Sequence, residues 1–296
     1  EQRKMVEHCA SETGGMAFVV GWAGTGKTTA AQALAEVLQA HHVNGQPLEV
    51  LGASPSWKAA GKLELEAKIP SQAMASIAKG IESGRWTPTE RSVLLLDEAS
   101  LMGTQSFAVV AEAYEQAGGK IIVFGDPHQL QAVEAGSPFR AGIDQCGAVY
   151  LNEITRQKTE EGLKLAHATY EGHDDAKNAR TWRRASGIGQ HIYERYEQAG
   201  WITQKETGAE CVEALVSDYL DDGLPVGQKV ALASTNQEVL TLNAQIRRGL
   251  QRAGQVSPRD FEVEVKTRSG VQALNVAVGD VIRFKAKFEG KANNQE

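Results

Sequence analysis

The sequence predicts an α/β fold: a mostly parallel sheet with helices on its faces, followed by a second, incomplete domain that runs into the start of a small β-module. Three observations predict it. Short apolar runs alternate with stretches of helical spacing, the arrangement that builds parallel sheets. A glycine-rich loop separates the first apolar run from the first strong helical pattern. Near residue 158 the β-branched runs give way to sequence dominated by Gln, Glu, Lys, Ala and Tyr, which marks a domain boundary: 1–157, then 158–296.

Met16-Ala-Phe-Val-Val-Gly21 is apolar, partly β-branched and stopped by glycine, so it reads as a buried strand. Thr28 to Ala40 follows as a helix, with Ala31, Leu34, Ala35 and Leu38 spaced to make one apolar face. Val50–Ala53, Ser92–Leu96 and Lys120–Gly125 read as further strands, each followed by polar or helix-forming sequence. Helical patterns prevail from Thr159 to about Gly223, and Lys229–Ala233 restores a strand. Phe261 to Phe284 alternates with period two, the pattern of small antiparallel strands. The polar tail Gly290–Glu296 reads as loose.

Composition narrows the class. The chain has 296 residues, 42% hydrophobic and 23% charged, the profile of an ordinary globular chain. No apolar run approaches the roughly 18 residues of a membrane span, and no signal peptide is apparent, so a cytoplasmic protein without membrane insertion is expected. Cys9, Cys146 and Cys211 lie far apart and suggest neither a disulfide framework nor a zinc site. The net charge of −6 offers no general basic coat, which leaves only a local groove for nucleic acid.

Gly21-Trp-Ala-Gly-Thr-Gly-Lys-Thr28 fits G-x-x-x-x-G-K-[ST] without mismatch. Gly24, Thr25 and Gly26 let backbone N–H groups turn around phosphate oxygens. Lys27 supplies a point charge toward the β- and γ-phosphates, and Thr28 offers a hydroxyl to Mg²⁺, with Thr29 beside it in the first helical turn. Seventy residues beyond Lys27, Leu94-Leu-Leu-Asp97-Glu98 is an apolar strand ending in two carboxylates. Asp97 is the expected Mg²⁺ ligand and Glu98 the group that orients and deprotonates the attacking water. The fourth strand runs into Gly125-Asp-Pro-His-Gln129-Leu130, which puts Gln129 at the strand's C-terminal edge, where open α/β sheets bind ligands.

With Asp97-Glu-Ala-Ser100 followed by Gly125-Asp-Pro-x-Gln-Leu130, the chain resembles the helicases of superfamily one. The likeness extends to Leu151-Asn-Glu-Ile-Thr-Arg156-Gln157, similar to the family's fourth motif. Its arginine comes from the second motor domain, so the resemblance makes Arg156 an arginine finger and Gln129 a γ-phosphate reporter. It implies a RecA-like, P-loop NTPase domain using ATP and Mg²⁺, with Gln2 against the adenine. It also implies a strand-contacting segment in which Ser54 and Lys58 meet phosphates of single-stranded DNA and Trp57 stacks a base, although a plain core or surface aromatic is the alternative for Trp57. Ser71–Ser76, Glu134–Arg140, Ser234–Val239, Leu242-Asn243, Arg247 and Val278–Ile282 look like the RecD-like branch. Within it they look most like the motor of conjugative relaxase-helicases of the TraA, MobA and TraI type, whose members move 5′ to 3′ along single-stranded DNA and work beside other conjugation or relaxosome proteins.

Two motifs that the family carries after the β-module are absent, so a fragment with weak turnover is expected. The three-histidine cluster of a nicking domain is absent as well; of seven histidines only His41-His42 are adjacent. Two alternatives stay open: a RecD-like DNA-repair helicase, and a non-hydrolysing module that binds single-stranded DNA or a partner. A phosphate-loop kinase or GTPase would need neither Gly125–Leu130 nor Leu151–Gln157.

Overall fold

The computed structural model describes residues 1–11, 15–130, 132, 134–170, 190, 192–267 and 270–282. They form two compact units, Glu1–Ala199 and Gly200–Glu296. The division lies later than the change of composition near residue 158, because Tyr170, beyond that point, stacks on Trp22 of the glycine-rich loop.

The first unit is built on a six-stranded sheet. Its strands are β1 (Met16–Gly21), β4 (Glu49–Ser54), β5 (Ser71–Ala73), β6 (Ser92–Leu96), β7 (Lys120–Gly125) and β8 (Val149–Leu151), in the order β5-β4-β6-β7-β1-β8. Every pairing is parallel. A small hairpin, β2 (His42–Val43) with β3 (Gln46–Pro47), stands outside the sheet. Asn44 and Gly45 turn it with φ 52° and 75°, the left-handed pair that a tight hairpin requires.

Parallel strands are covered on both faces, so they read as unbroken apolar runs: all five residues of β6 are buried. Alternate residues of one strand serve opposite faces. Ala17, Val19, Val93, Leu95, Ile122 and Phe124 pack under helices α1 (Gln2–Ser11), α2 (Lys27–Gln39) and α3 (Trp57–Ala67). Phe18, Val20, Leu94, Leu96, Ile121 and Val123 pack under α4 (Met74–Glu82), α5 (Thr104–Ala117) and α6 (Pro138–Cys146). The result is a three-layer sandwich that pins the strand ends. Because all strands run the same way, the residues following β1, β4, β6, β7 and β8 emerge along one edge, with Val20 level with Gly125 and Leu96 level with Val123. Helix α7 (Glu160–Ala168), capped by the Thr159 hydroxyl on Gly162 N–H, follows β8.

In the second unit, α8 (Gly208–Asp221) and α9 (Asn236–Arg252) each begin with a complete capping box, Thr207 with Glu210 and Thr235 with Glu238. Strands β9 (Phe261–Thr267) and β10 (Gly270–Val276) pair antiparallel as their alternation foretold. Arg247 of α9 grips Asp260 and Asp280 at 2.6 and 2.9 Å, tying the helix to the loops flanking the hairpin. Residues 229–233, expected as a strand, form none: Val230 and Leu232 are exposed at 76% and 81%, since an apolar run becomes a strand only where a neighbouring strand receives its hydrogen bonds. The alternation at 278–282 likewise forms a turn rather than a strand, and the tail 290–296 lies outside the described residues. Among the described residues no helix is long and apolar enough to cross a membrane.

Candidate nucleotide-binding site

The loop from β1 to α2 wraps back on itself. Gly24 and Gly26 hold φ of 85° and 77°, a left-handed conformation that costs glycine nothing. Gly26 is the N-cap of α2 and brings no side-chain oxygen to the first-turn N–H groups, unlike the serine- and threonine-capped helices elsewhere in the chain. Those amides and the positive end of the helix are left for an anionic ligand. Thr28 and Thr29 occupy that first turn. Lys27 Nζ donates to the carbonyls of Gly21 at 2.7 Å and Trp22 at 3.2 Å, so the ammonium is parked on the loop's own backbone. Thr25 is buried, its hydroxyl donating to Trp22 O at 2.9 Å.

Two segments brace the loop. Gln2 at the start of α1 donates its amide to Thr25 O at 3.3 Å and lies close against Gly26. From the far side, Thr155 N–H, Thr155 hydroxyl and Arg156 N–H all converge on Gly24 O, at 2.8, 3.1 and 3.0 Å. Arg156 thus reaches the loop from the segment after β8, within the first compact unit. A Cβ placed on Gly24 would stand 2.8 Å from Arg156 Cβ and 3.7 Å from its Cδ, which puts the arginine stem directly against the phosphate cradle.

At the end of β6, Asp97 continues the sheet through its N–H to Ala53 O, and its Oδ1 accepts from Glu98 N–H at 2.9 Å. Burial and, after it, the Glu98 charge raise the Asp97 carboxyl above the usual range; the Glu98 N–H, Lys27 and Lys62 oppose them. Glu98 itself holds φ 54°, rare for a side-chain-bearing residue and of a kind that clusters at functional sites. Next to it, Ser100 hydroxyl bridges the two strands: it donates to Asp126 O at 2.7 Å and accepts from Asp126 N–H at 2.9 Å.

The Asp126 side chain, 1% exposed, gathers the third segment. Its Oδ1 accepts from His128 N–H, and its Oδ2 from Gln129 Nε2 at 3.1 Å and Tyr170 hydroxyl at 2.9 Å. The Tyr170 oxygen in turn accepts from Ala23 N–H of the glycine loop at 2.7 Å. Loop, acid pair, Gln129 turn and arginine segment are therefore neighbours at one edge of one sheet.

Residues 1–206 match the AAA_30 family, described as an AAA domain. The chain belongs to this family. The probable conjugal transfer protein TraA of Sinorhizobium fredii is 31% identical over 98% of this AAA-domain chain and 24% of its own length. Multifunctional conjugation protein TraI of Escherichia coli is 32% identical over 48% of this chain and 8% of its length. The ATP-dependent RecD2 DNA helicase of Deinococcus radiodurans is 27% identical over 58% of this chain and 24% of its length. The solved Pif1 helicase from Candida albicans superposes with a TM-score of 0.47 at 16% identity, over 93% of this chain and 62% of that one. The AAA-domain chain spans at most about a quarter of the length of these curated relatives. It is a phosphate-loop, helicase-type domain of superfamily one B, related to TraA, TraI and the RecD helicases.

The AAA domain brings Gln2, Gly24 to Thr29, Asp97, Glu98, Gln129 and Arg156 to its one sheet edge. The three DNA-facing candidates part company. Trp57, 62% exposed, and Lys58 stand at the start of α3, capped by Ser56. Ser54 is 1% exposed, and its hydroxyl finds no hydrogen-bond partner among the described residues. Ser56, exposed and two residues on, presents the surface hydroxyl there. Sequence reasoning named Ser100 and Asp126 as members of their motifs without assigning them a role, and it passed over Tyr170; the local signal for Tyr170 was Trp22, an aromatic in a variable loop position that needed something to pack on.

Gly24 permits a test of the arginine contact. A Gly24→Ala variant puts a methyl into both a left-handed backbone and the Arg156 stem. Nucleotide affinity measured by equilibrium titration should fall about 10-fold, or about 1.4 kcal/mol. A Gly45→Ala variant in the remote hairpin, also at positive φ but with open space around it, should leave affinity at the parent value.

Proposed function

We propose that the chain is an ATP-hydrolysing motor segment that moves 5′ to 3′ along single-stranded DNA and belongs to a conjugative DNA-transfer relaxase-helicase acting in the cytoplasm beside other conjugation or relaxosome proteins. One observation carries the reading: the uncapped α2 terminus with Lys27, the Asp97–Glu98 pair, Gln129 and the Arg156 segment share a single edge, as phosphoryl transfer from a triphosphate requires. The change of composition at residues 157 and 158 falls where the arginine-bearing segment ends, inside the first compact unit.

The residues present fit Mg²⁺. Thr28 offers a hydroxyl and Asp97 a half-buried carboxylate, hard oxygens that leave room for water and phosphate ligands. Bound there, Mg²⁺ would neutralise phosphate charge. The chain's own groups do the rest. The α2 amides seat the phosphates, and Lys27 exchanges its two carbonyls for phosphate oxygens. Arg156 adds a second positive charge, Glu98 takes the proton of the attacking water, and Gln129 reads whether the γ-phosphate is present. Gln2 faces the base. Lys58 and Ser56 at the α3 terminus meet DNA phosphates, with Ser54 beneath them, and Trp57 supplies a stacking face.

ATPase activity with and without single-stranded DNA tests the motor, and displacement of streptavidin from biotinylated DNA tests its direction. The expected results are DNA-stimulated hydrolysis and displacement from the 3′ end alone. Displacement from the 5′ end overturns the polarity, and DNA binding without hydrolysis returns the binding-module alternative. A Trp57→Ala variant should bind single-stranded DNA about 10-fold more weakly by fluorescence anisotropy, within the range of about 1–3 kcal/mol for one stacked base.

A further inference from the structure

Tyr170 lies at the end of the segment that carries Arg156 and α7, yet its side chain serves the glycine loop and the Asp126 turn together. Its oxygen accepts from Ala23 N–H at 2.7 Å and donates to Asp126 Oδ2 at 2.9 Å, where Gln129 Nε2 also donates. A phenol is suited to this place because one rigidly held oxygen both accepts and donates, whereas the ionised carboxylate beyond it only accepts. Burial, with the Asp126 charge adding to it, pushes the hydroxyl up to about 12, so it keeps its donating proton throughout the neutral range. The ring is fixed independently: Trp22 stacks on it at 4.4 Å and 8°, and His128 meets it edge-on at 5.9 Å.

We propose that Tyr170 is a positioning residue that locks the glycine loop to Asp126 and, through Asp126, aims the Gln129 amide, so that the phosphate seat and the γ-phosphate reporter move as one. The inference rests on the hydrolytic reading above. Without the hydroxyl, Ala23 N–H and Asp126 Oδ2 each lose a partner, and the carboxylate that holds Gln129 stays tied through His128 N–H but no longer to the glycine loop. The stacked ring stays, because Trp22 and His128 pack against carbon atoms that phenylalanine also has.

Tyr170→Phe therefore separates the hydroxyl from the packing. Steady-state ATPase should show kcat down roughly 10-fold, the scale of one lost hydrogen bond to a charged group, with KM for ATP within about twofold of the parent. Equilibrium titration with ADP and ATPγS should show the parent's preference between the two collapsing toward one. Tyr150→Phe, which removes the hydroxyl of an exposed tyrosine on β8, should retain kcat and that preference within about twofold. A Tyr170→Phe protein that melts earlier yet keeps the parent's kcat and its ADP-to-ATPγS ratio overturns the proposal, since a merely structural residue would do that. The two readings fail separately. A parent that binds nucleotide without hydrolysing it refutes the proposed function, while the titration ratio still judges Tyr170; a parent that binds no nucleotide refutes both.

Discussion

Lys27→Ala should reduce ATP turnover by at least about 10²-fold, the cost of deleting one preorganised charge or donor aimed at a transition state. The ammonium now spends its hydrogen bonds on Gly21 O and Trp22 O, 2.7 and 3.2 Å away, both within the loop that would receive the phosphates. A short rotation exchanges those carbonyls for phosphate oxygens, and alanine offers neither partner. A second effect has the same sign. Lys27 is one of the charges holding the Asp97 carboxyl down against burial, so its loss pushes that carboxyl further up and weakens it as a Mg²⁺ ligand as the pH falls. The variant should consequently need more Mg²⁺ for whatever nucleotide binding survives. Lys27→Arg should fail as well, because the planar guanidinium fork does not fit a seat in which a compact ammonium reaches the carbonyls of Gly21 and Trp22. Hydrolysis assays and a Mg²⁺ titration of nucleotide binding check both parts; turnover within about threefold of the parent would exclude Lys27 from the chemistry.

What could be read from the sequence was what is local. The bounds of β1, β6 and β7 follow from apolar runs that parallel packing leaves no choice but to bury, and the glycine loop follows from the backbone conformations it must adopt. β5 and β8 were not legible, because three-residue strands such as Ser71–Ala73 draw their identity from neighbours rather than from their own composition. The same cause works in reverse at 229–233, where strand-like composition finds no neighbouring strand. Ser54 illustrates the limit for function: spacing put it beside Trp57 and Lys58, but it is the last residue of a strand whose end is buried, and the exposed hydroxyl belongs to Ser56. Tyr170 was out of reach altogether, since 147 residues separate it from Ala23 and no periodicity links the two. Only the fold, by gathering strand ends along one edge, brings them together.

Glu98→Gln should separate binding from chemistry. Glutamine matches glutamate in size and accepts no proton, so turnover should drop about 10²–10³-fold, within the range for removing a general base, while nucleotide still binds. The backbone gives no reason for collapse: the left-handed φ of 54° is equally costly for either residue, and the N–H at position 98 that serves Asp97 Oδ1 is unchanged. Electrostatics adds a sign that a structural defect would not reproduce. The Glu98 charge is, after burial, the next cause raising the Asp97 carboxyl. Removing that charge lets Asp97 stay ionised to lower pH, so Mg²⁺-dependent nucleotide binding by the variant should persist further into acid than that of the parent, even as hydrolysis is lost. Parallel pH titrations of binding and single-turnover hydrolysis separate the two effects. If the variant hydrolyses ATP within about threefold of the parent, the base is another residue; if its binding fails at a higher pH than the parent's, Asp97 and Glu98 do not share the site as the structure draws it.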